Sequence, residues 1–295
     1  MLAKAGWAAL ATIAVFGSVS VAIARPETAA RVVTGFASHT VCTKVFVSRL
    51  DPDRLLAEMM EATAGSWLVS WGLDLKVDRP RGEVVVTLFG GAAARAQFRK
   101  GFGCVLDHGS HLAWVAAAVT SPLAGSAEPA LVETQNPAIA AALDRVFAED
   151  APVRKNTKAV LVMKDGRIIA ERYAPDHDVD TPIMGFSATK SAFNALAGIL
   201  VRDGRLKLDA PAPIAQWQRP GDARGGITID HLMRHTAGLA MGSSLTASLG
   251  SAWEPVNRMK FMERDMAAFA ADATPRPRPA ANGIITTATR CCWGG

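Results

Sequence analysis

Apolar and polar residues alternate with several different periods along the chain, and each period suggests an element. The longest apolar run comes first. Residues 5–24, AGWAALATIAVFGSVSVAIA, carry no charge between Lys4 and Arg25. About twenty such residues can span a bilayer as a helix. The run also ends in Ala22-Ile23-Ala24, which fits the A-x-A cleavage site of a secretory signal. Run length points to a retained anchor and the small residues to a cleaved signal. A buried soluble helix, apolar all round, is the third reading. Residues 1–25 are therefore expected to be a signal peptide or transmembrane anchor, and either one exports the remainder.

Beyond Arg25 the pattern becomes mixed. DPDRLLAEMMEATA has helical spacing, with Asp51 or Asp53 near its start. GEVVVTLFGG and GFGCVLDHG read as short strands between glycines, and HTVCTKVFVS is strand-like as well. TSPLAGSAEPA is a linker by composition. NPAIAAALDRVFAED opens a helix with Asn136 as cap and Pro137 at the first helical position. In TKAVLVMKDGRIIAERYA, two β-rich runs flank Asp165-Gly166, a hairpin signal. A polar loop containing Pro182 leads to GFSATKSAFNALAGIL, a helix expected from about Ser187 to Val201 and stopped at Asp203-Gly204. ITIDHLMRHTAGL is expected to be a short helix capped near Asp230 and ended at Gly238. No internal repeat is present.

Composition narrows the class. The 295 residues are 49% apolar and 20% charged, which marks a globular chain with a sizeable core. The formal charge of +5 is spread thinly, with no Lys/Arg stripe interleaved with aromatics, so nucleic acid is not an expected partner. There are four cysteines. In an exported chain Cys42 and Cys104 could form a disulfide or stay two separate buried thiols. Cys291 and Cys292 are adjacent and fit neither pattern.

The chemistry concentrates at Ser187 and Lys190. Residues three apart on a helix share a face, so the two side chains would lie side by side. A serine hydroxyl is a weak nucleophile until a neighbour takes its proton. A lysine serves as that base where burial or a second cation favours its neutral form. The helix start adds free N–H groups and the positive end of a dipole, and the serine's own N–H could form half of an oxyanion hole. The competing reading is that Ser187 merely caps the helix and Lys190 is solvated.

Three ordered blocks bear on that choice: AVLVMKDGRIIAERYA, MGFSATKSAFNALAGILVRDGRLKLDAP and GITIDHLMRHTAGL. Together, over residues 155 to 245, they resemble the β-lactamase and penicillin-binding-protein family of serine hydrolases. Within that family they look most like the branch with class C β-lactamases, esterases and 6-aminohexanoate-dimer hydrolases. The last block resembles the family's His-Thr-Ser-Gly-Leu stretch, with His235, Thr236 and Gly238 in place and Ala237 where serine is common. The resemblance implies that Ser187 is the acylated nucleophile and Lys190 its base. It also implies an ester, amide or lactam as small-molecule substrate and no cofactor. His231 and His235 lie four apart, a spacing open to metal ligands, but His235 coincides with the family's structural histidine and packing is the better reading. His108 and His111 read as loop histidines.

The implied fold class is α/β (α+β): an incomplete β-lactamase-like fold, an antiparallel sheet with helices. It is preceded by a small α+β leading region at 26–130 and the N-terminal membrane segment. The hydrolase-related part is expected at 131–272 and a non-family tail at 273–295. The family places a Tyr-x-Asn element and a Lys-Thr-Gly-like strand after the nucleophile; this chain's one tyrosine, Tyr173, precedes it. The tail DATPRPRPAANGIITTATRCCWGG reads either as a disordered segment or as a reading-frame slip near Pro275 to Pro279. Codon degeneracy allows the shifted text from Asn282 to read Trp-His-His-Tyr-Asn-Ser-Asn-Thr-Leu-Leu-Leu-Gly, and Cys291-Cys292-Trp293 then force two leucines. Such a truncated chain is expected to be catalytically defective. A non-catalytic envelope-interaction protein on a hydrolase-derived fold is the alternative.

Overall fold

The computed structural model describes residues 25–61, 65–109, 131–150, 154–244 and 249–276. The expected N-terminal membrane segment, the linker TSPLAGSAEPA, His111 and the Cys291-Cys292 pair lie outside them. Among the described residues no helix is long and apolar enough to cross a membrane. The architecture is mixed helix and antiparallel sheet.

The leading unit is built around helix α1, Pro26–Phe46. Pro26 sits at the first helical turn, where its missing N–H costs nothing. Val32 through Ser38 are buried without a break, because the helix is covered on more than one side. One side packs on a four-stranded antiparallel meander, β1 (Leu73–Asp78), β2 (Glu83–Leu88), β3 (Ala92–Arg99) and β4 (Gly103–Leu106), in that spatial order. β2 alternates cleanly: Val84, Val86 and Leu88 are buried with the α1 residues. Helix α2, Pro52–Glu61, adds Leu55 and Met59 to the same core.

This arrangement corrects one expectation. Cys42 does not lie in a strand; HTVCTKVFV belongs to α1 and its C-terminal cap. Its Val and Thr residues favour strands locally, and burial on two faces erases the 3.6-residue period that would have marked a helix. The pairing itself is present: Cys42 in α1 is bonded to Cys104 in β4.

Helix α3, Pro137–Phe147, follows with its expected cap: the Asn136 side chain accepts from the N–H groups of Ala138 (2.9 Å) and Ile139 (3.3 Å). Strands β5 (Ala159–Lys164) and β6 (Arg167–Tyr173) form the expected hairpin. Asp165 and Gly166 both have positive φ, 50° and 75°, as a two-residue type I′ turn requires. Then come α4 (Thr189–Arg202), α5 (Ile229–Met233), α6 (Pro255–Met262) and α7 (Met266–Ala271). The cap of α5 is Thr228, not Asp230. Thr228 Oγ1 accepts from the His231 N–H at 3.1 Å, and His231 Nδ1 accepts from the Thr228 N–H at 3.2 Å. Histidine here plays the reciprocal role usually held by Glu or Gln.

A second apolar cluster joins Ala212, Trp217, Ile227, Leu239, Met241 and Val256. Trp217, 1% exposed, donates its indole N–H to the Ala271 carbonyl at 2.7 Å. Helix α6 ties this cluster to the leading unit. It crosses α1 at Gly35, where a Cβ would lie 2.9 Å from the Phe261 carbonyl oxygen, so the approach requires glycine.

Candidate active site

The chain reaches the site through the loop after the hairpin. Ser48, just past α1, donates its hydroxyl to the Pro182 carbonyl at 2.5 Å and fixes that loop to the leading unit. Phe186 then takes a left-handed conformation, φ 39°, uncommon for a bulky side chain. A single 3-10 turn, Phe186–Ala188, carries Ser187 into α4. Thr189 Oγ1 donates to the Phe186 carbonyl at 2.6 Å and braces the turn.

Ser187 and Lys190 come together as their spacing predicts. Lys190 Nζ donates to Ser187 Oγ at 3.0 Å. Ser187 is not the helix cap; that position is Ala188 and carries no side-chain cap bond. A neutral amine at this separation would accept the hydroxyl proton.

A cavity of about 860 Å³ opens next to this turn. Met184, Gly185, Phe186 and Thr189 form one wall; Phe36, His39 and Thr40 of α1 and Cys104 and Leu106 of β4 form others. Burial holds the His39 imidazole below its ordinary value, while the bond to the Cys104 backbone opposes the shift. No pattern in the sequence marked His39, because it faces the cavity from a helix whose period is hidden.

The other candidates fall elsewhere. His231 is engaged in the α5 cap. His235 takes φ 59° in a turn whose continuation, Gly238–Ala240, is bonded to residues 274–276. Among the described residues no group of His, Cys, Asp or Glu is arranged to hold a metal. Tyr173 donates its hydroxyl to Glu171 Oε2 at 3.2 Å, and burial together with the Glu171 carboxylate raises its phenol above the ordinary range.

The surroundings of the pair are open. Ser187 is exposed and Lys190 half-buried. On α4 only Ala197 is buried; Phe193 and Leu196 are each 61% exposed and Ile199 43%. Burying such a side chain fully contributes about 1.5–3 kcal/mol, so these three forgo on the order of 3–5 kcal/mol together.

Residues 148–282 match the family model described as Beta-lactamase. This stretch of the chain belongs to the β-lactamase family. No curated protein and no solved structure gives a significant match. Membership in the β-lactamase family brings a serine-hydrolase type of function and small-molecule substrates. The matched residues hold the hairpin, Ser187, Lys190 and the His235–Leu239 turn. The leading unit lies outside the β-lactamase match and contributes the far walls of the cavity.

Proposed function

We propose that this chain is a Ser-x-x-Lys hydrolase by descent, exported through residues 1–25 and held at the membrane or released into the periplasm. The reaction of the intact lineage is acyl transfer from an ester or amide. Lys190 takes the Ser187 proton as Oγ bonds to the carbonyl carbon. The tetrahedral adduct collapses, the carbon–leaving-group bond breaks, and the Lys190 ammonium returns the proton to the departing alcohol or amine. Water then attacks the acyl-enzyme and restores Ser187. The neighbouring cavity would receive the substrate's apolar portion. The observation that carries this reading is the 3.0 Å contact between Lys190 and Ser187 at the entrance of α4.

In this chain the pair turns over negligibly. Nothing among the described residues covers the α4 face, and Tyr173 is occupied on β6. Losing one member of a catalytic unit typically costs orders of magnitude in rate. A reading-frame slip near Pro275 to Pro279 accounts for the tail; resequencing the codons around it decides that point, and an uninterrupted frame removes the slip. The bare α4 face favours one alternative, a non-catalytic envelope-interaction protein on a hydrolase-derived fold.

A fluorophosphonate or a fluorescent penicillin separates the two. The hydrolase reading expects slow, stoichiometric labelling of the full chain that disappears in Ser187→Ala. Labelling that is absent, or equal in Ser187→Ala, leaves the non-catalytic reading.

A further inference from the structure

The leading unit carries an aromatic patch that neither the active site nor the core uses. Trp67 and Trp71 are 72% and 78% exposed, and Leu68 and Phe89 are each 53% exposed. They are not scattered. Trp67 and Leu68 lie on one 3-10 turn, Ser66–Leu68, and Trp71 on the next, Ser70–Gly72. Phe89 begins the β2–β3 turn and packs on them: its N–H donates to the Gly72 carbonyl at 2.7 Å, and its ring lies 4.6 Å, centroid to centroid, from Trp71. The ring seats directly on Gly72: a Cβ there would meet Phe89 Cε1 at 2.1 Å and displace it. The surrounding sequence is uncharged, from 62 to 73 and again from 84 to 94. Neither the Trp67 nor the Trp71 indole N–H has a partner among the described residues.

The place of this patch is set by the register of the sheet. Leu73 pairs with Leu88, and Leu88 with Ala92, so both aromatic turns and the β2–β3 turn stand at one end. The opposite end holds the Phe98–Cys104 pair. There the C-terminal turns of α1 are fastened, Cys42 by its disulfide and Phe46 by stacking on Phe98. A helix of 21 residues is about 30 Å long, so the start of α1 points back to the aromatic end. Three observations agree with this direction. Arg31 lines a depression with Ala93 and Ala94, next to the β2–β3 turn. Trp253, 41% exposed, donates its indole N–H to the Arg25 carbonyl at 3.1 Å. Leu249 of the same stretch lies beside Gly65, the residue ahead of the first aromatic turn. The patch therefore lies at the same end of the leading unit as Arg25, the residue that follows the twenty uncharged residues 5–24.

We infer that Trp67, Leu68, Trp71, Phe89 and Trp253 form a surface that seats the leading unit in the interfacial layer of a lipid bilayer. The inference rests on the reading of residues 5–24 as a membrane segment and extends it from a tether to a docked orientation. Tryptophan suits this layer because its ring is apolar and its N–H still finds an acceptor among headgroup and glycerol carbonyls. The uncharged turns avoid the cost of carrying a charge toward hydrocarbon. Seating this end on the bilayer holds the sheet, and with it the cavity wall of α1 and β4, at a fixed height above the membrane.

Brominated lipids test the surface directly. The full chain is reconstituted into phosphatidylcholine–phosphatidylglycerol vesicles, with and without bromine near the headgroup. Emission from the chain is compared with that of Trp67→His/Trp71→His, so the difference spectrum isolates the two tryptophans from Trp7 and the rest. The inference expects bromine to remove most of this difference emission and expects its maximum to shift to shorter wavelength on vesicle addition. Phe89→Ser, which unpacks Trp71, should lessen the quenching. A chain that floats with the vesicles while the difference emission is unquenched overturns the docked surface and leaves the N-terminal attachment standing. A chain that does not float overturns both. If the double variant fails to form its disulfide, Trp67→His and Trp71→His supply the same difference singly.

Discussion

Opening the Cys42–Cys104 bridge perturbs the leading unit by an amount that the structure sets. The bond closes a loop of 62 residues, from α1 to β4, that contains α2 and three of the four strands. Chain-entropy reasoning assigns such a loop an entropy of about 14 cal/mol/K, or about 4 kcal/mol at room temperature. Cys42 is fully buried, so Cys42→Ala/Cys104→Ala adds a cavity term of about 1 kcal/mol. Urea unfolding followed by far-ultraviolet circular dichroism reads both. With a slope of about 2 kcal/mol/M, the midpoint should fall by about 2 M in reductant and slightly further in the double variant. Against a typical domain stability of about 5–15 kcal/mol, that is a large fraction. An unchanged midpoint in reductant, with mass spectrometry showing two free thiols, would refute the reasoning: packing of α1 on the sheet would then suffice alone.

Three further expectations follow from individual side chains. Because burial holds the folded His39 imidazole below 6.5, the unfolded chain takes up its proton first; stability should fall as pH drops below 6.5, and His39→Gln should flatten that slope in urea titrations. Asn257 is fully buried and donates its amide to the Ser243 and Ser251 carbonyls at 2.8 and 2.7 Å, so Asn257→Leu should cost about 2–4 kcal/mol by the same assay, and a cost below measurement would mean water replaces the amide. Phe193→Lys/Leu196→Lys should leave the stability unchanged to within about 0.5 kcal/mol while reducing dye binding and self-association; a marked loss of stability would mean that the α4 face is covered.

Elements set by local chemistry were legible in the sequence. Asn136-Pro137 carries its own cap, Asp165-Gly166 its own turn, and Asp203-Gly204 its own stop. Elements set by tertiary contact were not. β3, AAARAQFR, has weak strand propensity and exists because β2 and β4 pair with it. α1 hides its period because both the sheet and α6 cover it. At the site the same division holds. Ser187 and Lys190 are brought together by helix geometry alone, so their spacing announced them. The left-handed Phe186, the cavity and His39 depend on how the leading unit packs against the loop from Pro182, which no local pattern encodes. The Thr228 cap was displaced by two residues because His231 stands where Glu or Gln ordinarily signals it.

The central claim is that the Lys190 amine activates the Ser187 hydroxyl. Its most direct test is the rate at which the full chain gains one fluorophosphonate adduct, followed by intact mass, in the chain itself and in Lys190→Ala. If the pair acts as a unit, Lys190→Ala labels about 100-fold more slowly than the chain itself. Equal rates in the two proteins, with the adduct still on Ser187, would contradict the claim.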